Sequence, residues 1–256
     1  MGILNITPDS FFDGGKYRDE KVILEKTEQM LQDGATFIDV GAYSSRPGAS
    51  HVSEEEELNR IVPIVELLLK EFPQIILSID TFRAKVAHNC LDRGAAMIND
   101  ISAGKMDADM LTQVANHQVP YIMMHMKGTP QTMQQETSYD DLMKDILFYF
   151  SERVAAARAL KINDIIIDPG FGFSKTLEQN YEVLQKMDLF QLLELPILAG
   201  LSRKSMIYKV LGTNAKGALN GTTALNMVAL NRGANILRVH DVKEALECIN
   251  LGQAFL

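Results

Sequence analysis

Cysteine is scarce in this chain of 256 residues: there are two, Cys90 and Cys248. They stand far apart in apolar helical surroundings and outside any CxxC pair, which argues against a cysteine metal cluster and fits two reduced core thiols. Positive charge is in the minority, 25 Lys and Arg against 33 Asp and Glu, for a net charge of −8. A nucleic-acid binder normally shows a basic stripe, so this balance argues against such a partner. It leaves room for an anionic small molecule met by local cations. Long apolar runs are missing too: no stretch approaches the ~20 apolar residues of a membrane span. Pro8 and Asp9 follow close behind Met1, with neither the basic segment nor the apolar run of a secretion signal. Gly2 would suit myristoylation, but Ile6 stands where Ser or Thr is needed. The expectation is a cytoplasmic protein with no membrane and no nucleic-acid partner.

What is present is a regular alternation. Short apolar runs rich in Ile and Val occupy 2–6, 36–40, 75–79, 96–99, 119–125, 164–167, 196–200 and 235–239. Parallel strands buried on both faces read as such continuous runs. Helical patterns fill the gaps at 19–33, 83–93, 108–117, 139–160, 177–187, 219–232 and 242–253, with a further helix after Ser53. There Ser53 and Glu56 have capping-box spacing, and Leu58, Ile61, Val65 and Leu68 repeat at helical intervals. The acidic run 54–57 reads as a solvated first turn without a function, where the helix dipole favours it. Gly34, Gly94 and Gly233 follow last helical turns, as C′ residues do. Strand and helix eight times over predicts a single domain spanning 1–256, an α/β (β/α)8 TIM barrel, for which about 250 residues is the usual length.

In such a barrel the site lies at the C-terminal strand ends. Those ends carry Asn5, Asp39, Asp80, Asn99-Asp100, His125, Asp168, Ser202-Arg203-Lys204 and Arg238-His240-Asp241. Singly each has an ordinary structural reading: Asp80-Thr81 as a helix N-cap, Asp39 as a buried carboxylate, His125 as a satisfied core histidine. A polar group at every strand end is harder to explain that way, because each costs free energy when buried unpaired; a shared polar ligand accounts for them together. The loops after strands 7 and 8, a common phosphate site in barrels, hold Arg203, Lys204, Arg238 and His240. Cations facing carboxylates and amides suggest a heterocycle with donors and acceptors plus an anionic tail. Two Gly- and Pro-punctuated loops, 5–15 with Phe11-Phe12 and 41–49 with Arg46-Pro47, read as mobile lids after strands 1 and 2.

The strings MGILNITPDSFFDGG, SIDT, IND, MHMKGTP, DPGFGF, GLSRKS and RVHDV, in that order, resemble the signature of the dihydropteroate synthase family over essentially the whole chain. The resemblance implies a transferase that condenses 6-hydroxymethyl-7,8-dihydropterin pyrophosphate with p-aminobenzoate, giving 7,8-dihydropteroate and pyrophosphate by an SN1-like path. It implies that Asp80, Asn99, Asp168, Lys204 and Arg238 carry catalysis. The pterin would meet these five, with Ile101, Met123, Phe173 and Gly200 lining the slot. Pyrophosphate would meet Asn5, Asp13, Arg46, Arg238 and His240, with Mg2+ at Asn5. The p-aminobenzoate would meet Phe11, Ser45, Arg46, Pro47, Lys204 and Ser205. It also implies a sulfonamide target and a homodimer; the apolar stretch 223–229 could supply its interface or face the core. Two departures from the pattern stand out. Ala42-Tyr43-Ser44-Ser45 replaces the Gly-Glu-Ser-Thr of many relatives, and Ser174 stands before Lys175 where many have Gly. A related barrel, the methyltetrahydrofolate–corrinoid methyltransferase, would share the Asp80, Asn99 and Asp168 pocket but would not need the lids or the pyrophosphate cations. A catalytically silent pterin binder would show eroded lids or cations, and the chain shows neither.

Overall fold

The computed structural model describes residues 1–6, 16–44 and 51–254. All eight expected strands form, each within one residue of its apolar run: β1 Gly2–Asn5, β2 Ile38–Gly41, β3 Leu77–Asp80, β4 Met97–Asp100, β5 Tyr121–Met124, β6 Ile165–Asp168, β7 Leu198–Ala199 and β8 Ile236–Leu237. Strands β1 to β6 pair in chain order and β7 pairs with β8, all parallel. Parallel bridges join Ile167 to Ile197 and Gly2 to Val239. The second links the first strand to the end of the last, so the sheet closes into an eight-stranded barrel. Around it lie α1 Lys16–Gln32, α2 Glu54–Glu71, α3 Ala84–Leu91, α4 Met110–His117, α5 Leu142–Ala159, α6 Leu177–Gln185, α7 Ser205–Tyr208, α8 Leu219–Asn231 and α9 Val242–Gln253. Two 3₁₀ turns, Met187–Leu193 and Ala215–Ala218, and the short α7 add to the helices the sequence predicts.

Successive strand residues face opposite sides of a sheet, and here that alternation separates two kinds of chemistry. Leu4, Ile38, Val40, Leu77, Ile79, Ile98, Tyr121, Met123, Ile165 and Ile167 pack outward in one large core with the helices. The alternate positions Met97, Ile122, Ile166 and Leu198 form a separate apolar layer with Met1, Phe37 and Ile236, filling the barrel. One pleat further toward the C-terminal ends the interior turns polar. Asp39 pairs with Ser78, Asp80 with Asn99, and Met124 with Asp168 in the strand register.

Several local expectations are met. Gly34, Gly94 and Gly233 take φ of 94°, 105° and 95°, the left-handed backbone that stops a helix and that glycine adopts without a Cβ clash. Ser53 caps α2 by accepting from the Glu56 N–H at 3.2 Å. Glu56 itself pairs with Arg60 along the helix. Cys90 and Cys248 are buried free thiols. One expectation fails. Glu57 is no solvated helix start: it is fully buried, accepts from Thr81 Oγ1 at 2.8 Å and pairs with Arg83. Arg83 also donates to the Val52 carbonyl at 2.6 Å and lies over the Phe82 and Tyr43 rings. A buried carboxylate needs such partners, and these tie the start of α2 to the loop after β3. Thr81 therefore serves Glu57 rather than capping α3, whose N-cap is Arg83.

Candidate active site

The interior alternation delivers Asp39, Asp80, Asn99, Asp168 and Arg238 to one mouth. Arg238 follows β8 and reaches across it. Its Nε donates to Asp39 Oδ2 and its Nη2 to Asp80 Oδ2, each at 2.6 Å. Asn99 Nδ2 donates to the same Asp39 oxygen at 3.0 Å. Asp39, read from sequence as a possible structural carboxylate, is fully buried and organises two neighbours. Its Oδ1 and the Ser78 hydroxyl on the next strand have no hydrogen-bond partner among the described residues, a polar spot of the kind internal water occupies. Burial works against the Arg238 charge, but Asp39 and Asp80 outweigh it and raise its pKa. Burial pushes Asp80 up to about 7, against the pull of Arg238. Gly41 makes room for Asp80: a Cβ there would stand 3.3 Å from the Asp80 Cβ.

On the other side of the mouth stand Asp168 and Lys204. Asp168 Oδ1 accepts the Gly170 N–H at 2.8 Å, and burial raises its pKa against the pull of Lys204. Lys204 donates to the Phe171 carbonyl and lies 5.1 Å from the Phe173 ring. Burial lowers its pKa to about 8 despite Asp168. Between them is Gly200, where a Cβ would lie 3.7 Å from both Asp168 Oδ2 and Lys204 Nζ. The bare glycine leaves an open slot flanked by an acceptor and a donor. Ile101, Phe173 and Met124 belong to one small apolar cluster with Tyr43, Val52, Phe82, Met106, Met126 and Met133.

Met124, not Met123, takes the interior position on β5. Met123 is fully buried in the outer core against the helices, because the strand pleat sends neighbours to opposite faces; the assignment of Met123 to the slot is corrected accordingly. Asp100 also points outward, where Tyr121 Oη, Ser102 and Gly104 donate to it, so it is a latch beneath the helices. Arg203, one of the four cations read as anion ligands, holds Asp241 with two bonds of 2.8 Å and donates to the carbonyls of Ala215 and Lys216. Its guanidinium is committed to joining the loops after β7 and β8. His125 is a core histidine. It takes part in a 3.0 Å contact with Lys175 Nζ, packs edge-on against Tyr149, and burial followed by Lys175 pushes its pKa well below the ordinary value.

Asn5 sits half-buried at the end of β1, and Ser205 opens α7 directly after Lys204. His240 is held by Ser202, whose Oγ lies 3.0 Å from His240 Nδ1 and accepts the His240 backbone N–H at 3.1 Å. Phe11, Asp13, Ser45, Arg46 and Pro47, with the lids that carry them, lie outside the described residues. Sequence reasoning passed over Lys175 as a contributor. It is buried, donates to the Gly170 and Phe173 carbonyls at 3.1 and 3.2 Å, and burial brings its pKa down to about 7. It thus pins the loop between Asp168 and α6. Ser174 before it takes φ of 44°, the conformation glycine adopts more readily. The Lys127 N–H and the Tyr139 hydroxyl hold it there.

A closed parallel barrel with buried, opposed charges around an open interior slot is a small-molecule enzyme of the barrel class. Comparison with known proteins places it further. Residues 1–240 match the model of the pterin binding enzymes, and the chain belongs to that family, among its dihydropteroate synthases. The dihydropteroate synthase of Synechocystis is 44% identical over 257 residues, covering 99% of this chain and 89% of the relative. The Yersinia pestis enzyme, solved in complex with a sulfonamide drug, superposes with a TM-score of 0.93 at 43% identity, covering 100% of this chain and 93% of that one. The Clostridium difficile enzyme, solved with pteroic acid, gives 0.94 at 38% identity, covering 100% and 95%.

Proposed function

We propose that the mouth joins a dihydropterin pyrophosphate to p-aminobenzoate, with the pterin ring seated in the slot over Gly200. The observation that carries this reading is the placing of Asp168 Oδ2 and Lys204 Nζ around that glycine, opposite the Asp80–Arg238 pair. Asp168 accepts N–H bonds from the amidine-like ring edge, while Asn99, fixed by Asp39, and Lys204 meet the remaining edge. Arg238 lies against the ring face and towards the leaving group, and Ile101, Met124 and Phe173 exclude water from the slot.

In the reaction the C–O bond breaks and its electron pair leaves on pyrophosphate. The cation left on the exocyclic carbon is conjugated with the pterin, and the carboxylates of Asp80 and Asp168 supply negative charge nearby. The neutral aromatic amine then forms the C–N bond and sheds a proton, so little general base is needed. Arg238 and His240 take the developing charge of pyrophosphate. The Asn5 amide oxygen is a hard donor of the kind that would hold Mg2+, and the ion would supply positive charge for the leaving group. Asp13 and Arg46 would complete the anion site, and Phe11, Ser45, Arg46, Pro47 and Ser205 the p-aminobenzoate site. The protein would act as a cytoplasmic homodimer.

Incubation of the purified protein with both substrates and Mg2+ tests the proposal. Release of pyrophosphate that requires both substrates, with dihydropteroate as product, is expected. Hydrolysis of the pterin substrate with no joined product would overturn it.

A further inference from the structure

We propose that His88, Asp92 and His117 form a second metal site, for a divalent cation of the zinc type, on the outside of the barrel. Asp92 precedes β4 and His117 precedes β5. The cluster therefore lies at the N-terminal strand ends, the opposite end from the substrate mouth.

The three side chains each present one ligand atom, all within 4.8 Å of one another. His88 Nε2 stands 3.4 Å from Asp92 Oδ2, and His117 Nε2 stands 2.9 Å from Asp92 Oδ1. Zinc bonds of about 2.0–2.1 Å in tetrahedral array put neighbouring donors about 3.4 Å apart; of the three separations the His88–Asp92 one matches that figure and the His117–Asp92 one is shorter, each histidine facing its own Asp92 oxygen. The third closes by rotation of His88, whose side chain is 47% exposed. Position and chemistry agree on the ion. His88 lies in the last turn of α3 and Asp92, four residues on, is the C-cap residue of that helix, a spacing at which helical neighbours meet, and α3 packs beside α4. Both imidazoles lie in last helical turns, so two helix C-termini with their partial negative charge converge on the spot.

The second ring nitrogen of His117 is already committed. Nδ1 lies 2.9 Å from the Gln113 carbonyl, the outer bond that metal-binding histidines use to fix the tautomer and aim Nε2 outward. Two imidazoles with one carboxylate select a borderline transition ion over Mg2+ or Ca2+, which take oxygen ligands. The fourth position stays open to water. The charged groups facing the cluster are Arg93, next to Asp92, and Glu66 on α2, which pairs with Arg93 at 2.6 Å and draws that cation aside.

Calorimetric titration of Zn2+ into the chelator-treated full-length protein, with excess Mg2+ present, reads the site directly. The expected result is a single equivalent bound, with affinity falling roughly tenfold or more in His117→Ala and in His88→Ala, and unchanged in Asn5→Ala. Zn2+ should also raise the melting temperature of the parent protein and not of His88→Ala, whose exposed side chain carries little of the fold. Failure of the parent protein to bind Zn2+, or binding that survives both histidine substitutions, would overturn the site and leave the cluster an ordinary interhelical ion pair.

Discussion

Arg238 meets Asp39 across 199 positions of the chain, with Nε 2.6 Å from Oδ2. The pair ties the end of the barrel to its second strand and fixes the guanidinium over the mouth before any ligand arrives. Removing one partner of a buried pair strands the other charge and typically costs about 3–5 kcal/mol. Asp39→Ala is expected to lower unfolding stability by about that much in urea denaturation. A loss below about 1 kcal/mol would show that Arg238 relies on Asp80 instead.

Gly200→Ala separates slot from scaffold. The new methyl meets Asp168 Oδ2 and Lys204 Nζ at 3.7 Å, an ordinary contact, so thermal stability should stay near that of the parent. It also occupies the space given to the ring, and crowding of this kind costs about 1–3 kcal/mol. Binding of 6-hydroxymethylpterin by calorimetry should weaken roughly tenfold or more. Unchanged affinity would put the ring elsewhere.

His240→Ala should divide the anion from the ring. Ser202 holds the imidazole in place at the end of the mouth proposed for pyrophosphate. A hydrogen bond to a charged group contributes about 1.5–3 kcal/mol, so pyrophosphate binding should weaken roughly tenfold or more. Binding of a pterin without phosphates should stay as it was. Equal losses for both ligands would contradict that division.

Lys175 gives a prediction in pH. Burial brings its folded pKa from 10.5 to about 7, while in the unfolded chain the amine titrates at its ordinary value. Between about pH 7 and pH 10.5 the unfolded chain binds more protons, so this group makes stability rise with pH across that window and cost most below it. Relative to Lys175→Met, the parent protein should therefore gain stability from about pH 6.5 to about pH 9 in paired denaturant melts. A constant gap would mean that Lys175 stays charged.

The eight strands were legible because parallel strands covered on both faces are written as unbroken apolar runs. The polar ends were legible because a charge that follows such a run stands out. What escaped has a physical cause in each case. Tyr121-Ile122-Met123-Met124 is apolar on both faces, so nothing in it marks the phase of the pleat, and the slot residue slipped by one. Arg203 and Lys204 are adjacent cations alike in sequence, but Arg203, at φ 55°, turns to Asp241 and Lys204 to the Phe171 carbonyl. Glu57 and Lys175 are residue types usually found in water; their burial depends on partners 26 and 50 residues away in sequence, Arg83 and His125.

The pleat that puts Asp39, Asp80, Asn99 and Asp168 inside also sets what this protein can become. One residue inserted in a strand would turn every later side chain of that strand about, in β3 or β6 placing a carboxylate among the helices and an isoleucine in the slot. The strands can therefore exchange residues but not change length. New substrate preferences must come by substitution at the interior positions or by insertion in the loops, and a lineage of this barrel should keep its strand lengths fixed while its loops drift.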